Sequence, residues 1–348
     1  MNVIIVTDYG LINGGASKVA LESALALTEH VDQVHVFFTI GEAASVLKEN
    51  SKLRITQLNQ KKVTEQPISK SILAGLWNKV VAQEFSKVLD QYDPKDTIVH
   101  VHSWRDGTTL SFIPEVKRRG FKLIFTAHDF GLACPIAGFF DHRSNSICGL
   151  KGLSRQCLQS NCTNTSIVKK TWFSLRHHLQ VQRAHMPSDL KHLITVSSLS
   201  EKVLDPYLAD GTKIHHVANP IPIEQAPRVA AEKNKTYAFV GRFSPEKGAL
   251  IAAEAAQKAG VPIMFIGTGV QSPDIQPLCP EAQLLGWKKP EEVKEILQKA
   301  RAIIFPSVWY EVQGMVVDEG AAMGIPVIVS DVTAAVEAVE KFRHGLTF

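Results

Sequence analysis

The feature that most restricts this chain is a recurrence. Short apolar runs rich in β-branched residues alternate with segments long enough for helices. Before residue 200 the runs are Asn2–Thr7, Gln33–Thr39, Leu53–Leu58, Thr97–His102, Lys122–Ala127 and His192–Ser197. After residue 230 the pattern restarts with Tyr237–Gly241, Pro262–Gly267, Gln283–Gly286, Ala302–Pro306 and Pro326–Ser330, with helical stretches at Ala249–Ala259 and Glu291–Ala300. Runs without polar alternation suit strands buried on both faces, the condition of parallel strands covered by helical crossovers. The predicted fold class is α/β, with two doubly wound, Rossmann-like units.

A length of 348 residues accommodates two such domains. Asn219-Pro-Ile-Pro-Ile-Glu-Gln-Ala-Pro-Arg, with three prolines, interrupts the pattern, so the linker is placed at 219–235, between domains 1–218 and 236–348. Ligands of open parallel sheets bind beyond the carboxyl ends of the strands, and two facing units would share a cleft there. Lys+Arg 38 against Asp+Glu 34 leaves a net charge of +4, too mild to indicate nucleic acid as a partner. No run reaches the ~18 apolar residues of a membrane span, and Met-Asn-Val-Ile-Ile-Val-Thr-Asp does not read as a signal peptide. The expectation is a cytoplasmic chain whose five cysteines are thiols.

Three loops stand out. Asp8-Tyr-Gly-Leu-Ile-Asn-Gly-Gly-Ala-Ser-Lys leads into a helical stretch, Val19–Glu29. Gly14 and Gly15 lack Cβ atoms, so the backbone can approach a ligand, and a helix N-terminus offers N–H groups to a diphosphate. Two glycines make a plain turn as readily, and the dinucleotide pattern G-x-G-x-x-G is missing. In Phe239-Val-Gly-Arg-Phe-Ser-Pro-Glu-Lys-Gly, Arg242 and Lys247 follow a strand end and precede a helix, so two cations and a helix N-terminus can converge on phosphates. A solvated basic loop is the alternative. In Trp309-Tyr-Glu-Val-Gln-Gly-Met-Val-Val-Asp-Glu-Gly, Glu311 precedes a helix starting near Gly314, and Glu319 lies inside it. Eight positions at ~1.5 Å rise span up to about 12 Å, which suits an extended ligand. A hydroxyl-rich ligand would satisfy Glu319, although glutamate on a helix more commonly faces solvent.

Taken together, Gly-Gly-Ala-Ser, Gly-Arg-Phe-Ser-Pro-Glu-Lys-Gly and Glu311 with seven residues before Glu319 resemble the retaining glycosyltransferases of family four, which have the GT-B fold. The resemblance implies that Arg242 and Lys247 bind the donor diphosphate, that Glu319 binds ribose hydroxyls and that Glu311 contacts the donor sugar. Backbone amides of Gly314, Met315 and Val316 would hold phosphate or sugar oxygens, with Gly14 and Gly15 closing on the diphosphate. His128, in Phe125-Thr-Ala-His-Asp-Phe, matches the family's first-domain histidine near the reacting sugar. The implied reaction is sugar transfer from a UDP- or GDP-sugar to a saccharide or lipid-linked saccharide, with retention, in cell-surface polysaccharide, lipopolysaccharide or glycolipid synthesis. No Asp-x-Asp pair appears at a strand end, in keeping with a family that needs no metal or other cofactor. Family members continue past the segment matching Glu337–Phe348 with further helices, so against that pattern the second domain reads as truncated.

Several features stand outside the pattern. Cys134, Cys148, Cys157 and Cys162 fall in an insert at 133–164, without a C-x-x-C pair. Both a structural zinc and a set of thiols lining an acceptor-side loop are compatible with them. The stretch Ser166–Arg183 pairs Trp172, Phe173, Leu175 and Leu179 with Lys169, Lys170, Arg176 and Arg183. It reads either as an interfacial helix giving peripheral membrane contact or as a packed helix with a solvated basic face. Gly267-Thr-Gly269 fits a nucleotide approach or a turn, and His100 and His102 read as core or edge histidines. Two rivals share this architecture. One is a nucleotide-sugar epimerase, whose acid/base carboxylates would come from Asp8, Asp106 and Asp129; the other is a non-catalytic nucleotide-binding protein.

Overall fold

The computed structural model describes residues 1–65, 73–221 and 227–348, so part of the expected linker, 222–226, lies outside the described residues. The chain divides into two compact units. The first comprises Met1–Gly138, Leu150–Val196 and Ser200–Val217; the second takes in Phe139–Gly149, Ser197–Leu199 and Ala218–Phe348.

The first unit is built on strands β1 (Asn2–Tyr9), β2 (Gln33–Ile40), β3 (Leu53–Gln60), β4 (Thr97–Val101) and β5 (Lys122–Ala127). Beyond β6 (Phe140–Asp141) and β7 (Ser146–Ile147), a small antiparallel ribbon counted with the second unit, the chain returns with β8 (His192–Thr195) and β9 (Lys213–His216). The seven-stranded sheet runs β3-β2-β1-β4-β5-β8-β9, and every pairing is parallel. Alternate residues feed opposite faces. Val3, Ile5, Val36 and Phe38 pack with Ala20, Leu21 and Ala24 of the helix Gly15–Leu27. On the other face Phe37 meets Phe85 edge-on, 5.0 Å between ring centres, and Phe85 meets Phe112 at 4.7 Å. Both faces are therefore covered, which is why these strands read as unbroken apolar runs.

The second unit repeats the plan with β10 (Thr236–Val240), β11 (Ile263–Ile266), β12 (Gln283–Leu284), β13 (Ala300–Phe305), β14 (Val327–Val329) and β15 (Gly345–Thr347). Its order, β12-β11-β10-β13-β14-β15, is again wholly parallel. Ala238, Met264, Ile266 and Ile303 enter one core with Val317 and Val339, while Phe239, Ile263 and Phe265 enter the other with Ala249, Ala252 and Ala256. In each sheet the chain builds outward from its first strand in one direction and then in the other. The switch points lie between β1 and β4 and between β10 and β13, and loops beyond the carboxyl ends of those strands flank a ready crevice.

Each expected strand is present. The sequence reading missed the ribbon β6–β7 and the edge strands β9 and β15. Lys213, His215 and His216 of β9 are exposed, as is Leu346 of β15. An edge strand has less to bury and so lacks the apolar run that betrays a central one. The first helix begins at Gly15, a turn earlier than expected. Among the described residues no helix is long and apolar enough to cross a membrane.

The helix Ile167–Ala184 corrects the expectation of a basic outer face. Its buried positions are Lys170, Ser174, His177, Gln180 and Ala184, spaced at three and four residues, so the inward stripe is itself polar. Lys170 Nζ lies 3.4 Å from Cys157 Sγ. Gln180 donates to the Gly131 carbonyl at 3.1 Å and accepts from Trp104 Nε1 at 3.4 Å. Arg176 donates to the Arg105 carbonyl at 2.8 Å, and its guanidinium lies 4.9 Å from the Trp172 ring centre. Two of the four cations assigned to a solvated or membrane-facing surface thus point into the protein.

Candidate active site

The residues singled out from sequence fall at the two switch points. In the second unit the loop after β10 carries Arg242 and Lys247, and the segment after β13 carries Trp309 and Glu311. Lys247 closes the short 3₁₀ turn Pro245–Lys247, and Gly248 then adopts φ 72° before the helix Ala249–Ala259. A Cβ at Gly248 would lie 2.1 Å from the Pro306 carbonyl oxygen, so a glycine here lets the turn sit against the end of β13. Lys247 Nζ consequently reaches the Glu311 carboxylate and pairs with it. Trp309 Nε1 donates to the same carboxylate at 2.9 Å, and Lys247 Nζ stands 5.2 Å from the Trp309 ring centre. Lysine, carboxylate and indole form one partly buried group.

Arg242 does not join that group. It is largely exposed and lies 3.7 Å from Glu246, whose buried carboxylate also accepts from Ser244 Oγ at 2.7 Å. The two cations expected to converge are each held by a separate carboxylate. Gly267 and Gly269 serve the same loop: a Cβ on either would fall within about 2 Å of the backbone at Gly241 or Phe243, and Phe243 N donates to the Thr268 carbonyl at 3.0 Å. Their close approach is to backbone, which accounts for both glycines as parts of a tight turn.

Glu311 leads into the helix Met315–Ala322, with Gly314 at its N-cap and no side-chain cap. The first amides of a helix have no intrahelical acceptor, so those of Met315 and Val316 are available to an anion. Asn219 N donates to Gln313 Oε1 at 2.9 Å, and Gln313 Nε2 donates to Asp318 at 2.9 Å, which fixes the entry to the helix. Gly320 packs onto β13, since a Cβ there would be 2.4 Å from Ile303 Cδ1. Glu319, one position earlier, is half-buried.

In the first unit Gly14 and Gly15 line a cavity of about 280 Å³ together with Tyr9, His102, Arg105, Asp106, His128 and Asp129. Gly14 has φ 141° and open space where a Cβ would be, and the helix Gly15–Leu27 that it precedes has no side-chain cap. Ser17 shapes the turn: its hydroxyl accepts from Asn13 N at 2.7 Å and donates to the Gly14 carbonyl at 3.0 Å. An exposed, uncapped helix N-terminus on glycine suits an anion better than a plain turn does.

Asp8 holds the opposite wall. Its two carboxylate oxygens accept from the amides of Arg105 at 2.7 Å, Asp106 at 3.0 Å, Gly107 at 3.1 Å and Thr108 at 2.9 Å. Burial and Asp106 push its carboxyl up while those amides pull it down. Both oxygens are engaged by backbone, so Asp8 organises the loop and is not available as an acid/base pair member. Tyr9 donates to Asp106 at 2.5 Å, and burial together with that carboxylate pushes its phenol up. Asp129 accepts from Gly131 N at 2.7 Å.

His128 sits at the cavity with His102 behind it. His102 Nδ1 and His128 Nε2 are 2.9 Å apart, in rings whose centres are 5.2 Å apart and whose planes differ by 21°. Burial lowers both, His128 to about 3, so both are neutral near pH 7. His100 is satisfied, with Nε2 2.7 Å from Thr126 Oγ1, as expected of a core histidine. His102 is not, and its contact with His128 escaped the sequence reading. The signal was present in principle: each histidine follows a strand, and the two strands, β4 and β5, are neighbours.

None of the five cysteines forms a disulfide, and among the described residues no group of three or more His, Cys, Asp or Glu is arranged to hold a metal ion.

Residues 234–348 match the family described as group 1 glycosyl transferases. An uncharacterized glycosyltransferase of Methanocaldococcus jannaschii is 23% identical over 285 residues, covering 78% of this chain and 67% of that protein. The second unit thus carries a group 1 glycosyl transferase domain. Sucrose-phosphate synthase from Thermosynechococcus elongatus superimposes with a TM-score of 0.68 at 16% identity, over 99% of this chain and 85% of that one. HepE of Anabaena, solved with UDP-glucose, gives a TM-score of 0.62 at 16% identity, over 100% and 85%. The matched segment contains Arg242, Lys247, Glu311, Glu319 and the helix Met315–Ala322.

Proposed function

We propose that this glycosyltransferase moves a sugar from a nucleoside diphosphate sugar to a hydroxyl acceptor with retention of anomeric configuration. One observation carries the reading: Lys247, Glu311 and the uncapped N-terminus at Gly314 gather beyond β13, at the switch point of the second sheet. A diphosphate seated there meets a lysine charge and the amides of Met315 and Val316, with Arg242 within the same loop. Glu319 takes the ribose hydroxyls and Glu311 the donor sugar. The first unit, taken by itself, offers an uncapped helix N-terminus at Gly14 and Gly15 to an anion, with His128 lining the same cavity.

Departure of the nucleoside diphosphate develops negative charge on its oxygen while the sugar becomes oxocarbenium-like. Fixed positive charge from Lys247, Arg242 and the helix amides stabilises the first, and a carboxylate at Glu311 favours the second. This charge supplies what a divalent cation supplies elsewhere, so transfer needs no metal or other cofactor. HepE was solved with UDP-glucose, which makes a UDP-sugar the first donor to test. The acceptor is a saccharide or lipid-linked saccharide, as in assembly of surface glycans.

Nucleoside diphosphate release from a panel of UDP-, GDP- and ADP-sugars, with and without saccharide acceptors, tests the reading. Acceptor-stimulated release with an α-linked product from an α-linked donor supports it. Conversion of donor to an isomeric nucleotide sugar identifies an epimerase, and tight nucleotide binding without turnover identifies a binding protein.

A further inference from the structure

We infer that His102 is a positioning residue that fixes the tautomer of His128, so that His128 meets its ligand as an Nδ1–H donor and not as a base. The 2.9 Å contact between His102 Nδ1 and His128 Nε2 can hold one proton only, and it can be arranged in two ways. In one, His128 donates Nε2–H, and neutral His102 must then carry its proton on Nε2. That nitrogen is buried and has no hydrogen-bond partner among the described residues. A buried N–H would be orphaned, paying its desolvation with no bond in return.

In the other arrangement His102 donates Nδ1–H to His128 Nε2. The orphan is then a bare lone pair, a less costly omission than an unpaired N–H. His128 must carry its own proton on Nδ1. Its Nε2 is engaged, so Nδ1 is the nitrogen left for the cavity that His128 lines. A protonated imidazolium pair would escape the choice, but burial of both rings opposes it. His100 reinforces the arrangement mechanically: its ring lies 4.1 Å from that of His102, and its Nε2 is tied to Thr126.

An Nδ1–H facing the cavity donates to an oxygen lone pair, the chemistry of a sugar hydroxyl. It does not abstract a proton from an attacking hydroxyl. The role at the sugar rests on the function proposed above, whereas the tautomer stands on the histidine pair alone.

Two measurements test this. In ¹⁵N-histidine-labelled protein, with signals assigned through His102 and His128 variants, His128 is expected as the Nδ1–H tautomer. In His102→Phe it reverts toward Nε2–H, the form favoured by a free imidazole, while His102→Asn keeps a side-chain donor and retains Nδ1–H. Nε2–H on His128 in the unaltered protein overturns the proposal, as does a tautomer unchanged in His102→Phe. Where His102→Phe fails to fold, the unaltered protein and His102→Asn still decide.

The second measurement is UDP release from UDP-glucose. His102→Phe lowers kcat roughly tenfold to a hundredfold with little change in KM, and His102→Asn restores much of it. A double variant with His128→Phe is no worse than His128→Phe alone. Independent, multiplying losses overturn the coupling. If the unaltered protein releases no nucleoside diphosphate from any donor, the proposed function fails while the tautomer result still decides the role of His102.

Discussion

Lys247 and Glu311 stand 64 positions apart in the chain, yet pair directly at the carboxyl end of the second sheet. The relationship changes what each residue is expected to do. A diphosphate bound there as proposed meets a lysine already shared with a carboxylate and an indole. Ligand binding must therefore redistribute an existing charge pair, and the two residues act as a unit.

That unit gives the first prediction. Lys247→Ala removes the charge facing the phosphates and leaves Glu311 partly buried without its cation, so donor affinity falls by roughly tenfold to a hundredfold, about 1.4–2.8 kcal/mol. The pairing of Lys247→Ala with Glu311→Gln recovers thermal stability but not turnover. Calorimetric titration with UDP and a melting curve for each variant check both halves, and normal UDP affinity in Lys247→Ala sinks the assignment.

Glu319 provides a second test. On the proposed reading Glu319→Gln removes the carboxylate that takes the ribose hydroxyls, and a charge-assisted hydrogen bond is worth about 1.5–3 kcal/mol. Nucleotide affinity is expected to drop by at least roughly tenfold. The melting temperature should move little; a large fall with unchanged affinity would show that Glu319 serves the fold instead.

Gly248 tests the geometry that brings Lys247 to Glu311. Gly248→Ala faces a left-handed φ of 72° and a Cβ 2.1 Å from the Pro306 carbonyl oxygen. The expected cost is about 2–4 kcal/mol of stability in the second unit, together with weaker nucleotide binding. Denaturant melts followed by hydrogen exchange of residues 236–348 measure it.

Charge supplied by the protein also has a consequence in solution. Turnover should survive EDTA dialysis unchanged. Activity lost to the chelator and restored by Mg²⁺ or Mn²⁺ would show that Lys247, Arg242 and the helix amides do not suffice.

Acid should unfold the first unit before the second. Burial lowers His35 and His100 to about 4 and His128 and His177 to about 3, all in the first unit, whereas the second has His344 alone among lowered histidines. Histidines that must stay neutral when folded contribute fully above the unfolded value of 6.5. The unfolded chain binds the extra protons below it, so stability falls as pH drops from 6.5 toward 4, at up to about 1.4 kcal/mol per pH unit for each group. Hydrogen exchange at stepped pH should show amides of β1, β4 and β5 losing protection ahead of those of β10 and β13. The reverse order would contradict the linkage.

Central strands were legible because burial on two faces leaves an apolar run. Edge strands β9 and β15 were not legible, since an exposed edge need not be apolar. The helix Ile167–Ala184 misled for a related reason. Lys170 and Arg176 look like surface residues by type, but Cys157 and the Arg105 carbonyl lie where those side chains end.

By itself the sequence determined the α/β class, the order of strands along the chain and the residues flanking each strand end, because periodicity and backbone freedom are local properties. Only tertiary structure decided that Lys247 meets Glu311, that Asp8 spends its carboxylate on backbone amides and that His102 leans on His128. Those outcomes depend on which strands become neighbours and on where a side chain a few ångströms long finds its partner. Distances of that kind are set across the sheet, between segments that the chain separates by tens of residues.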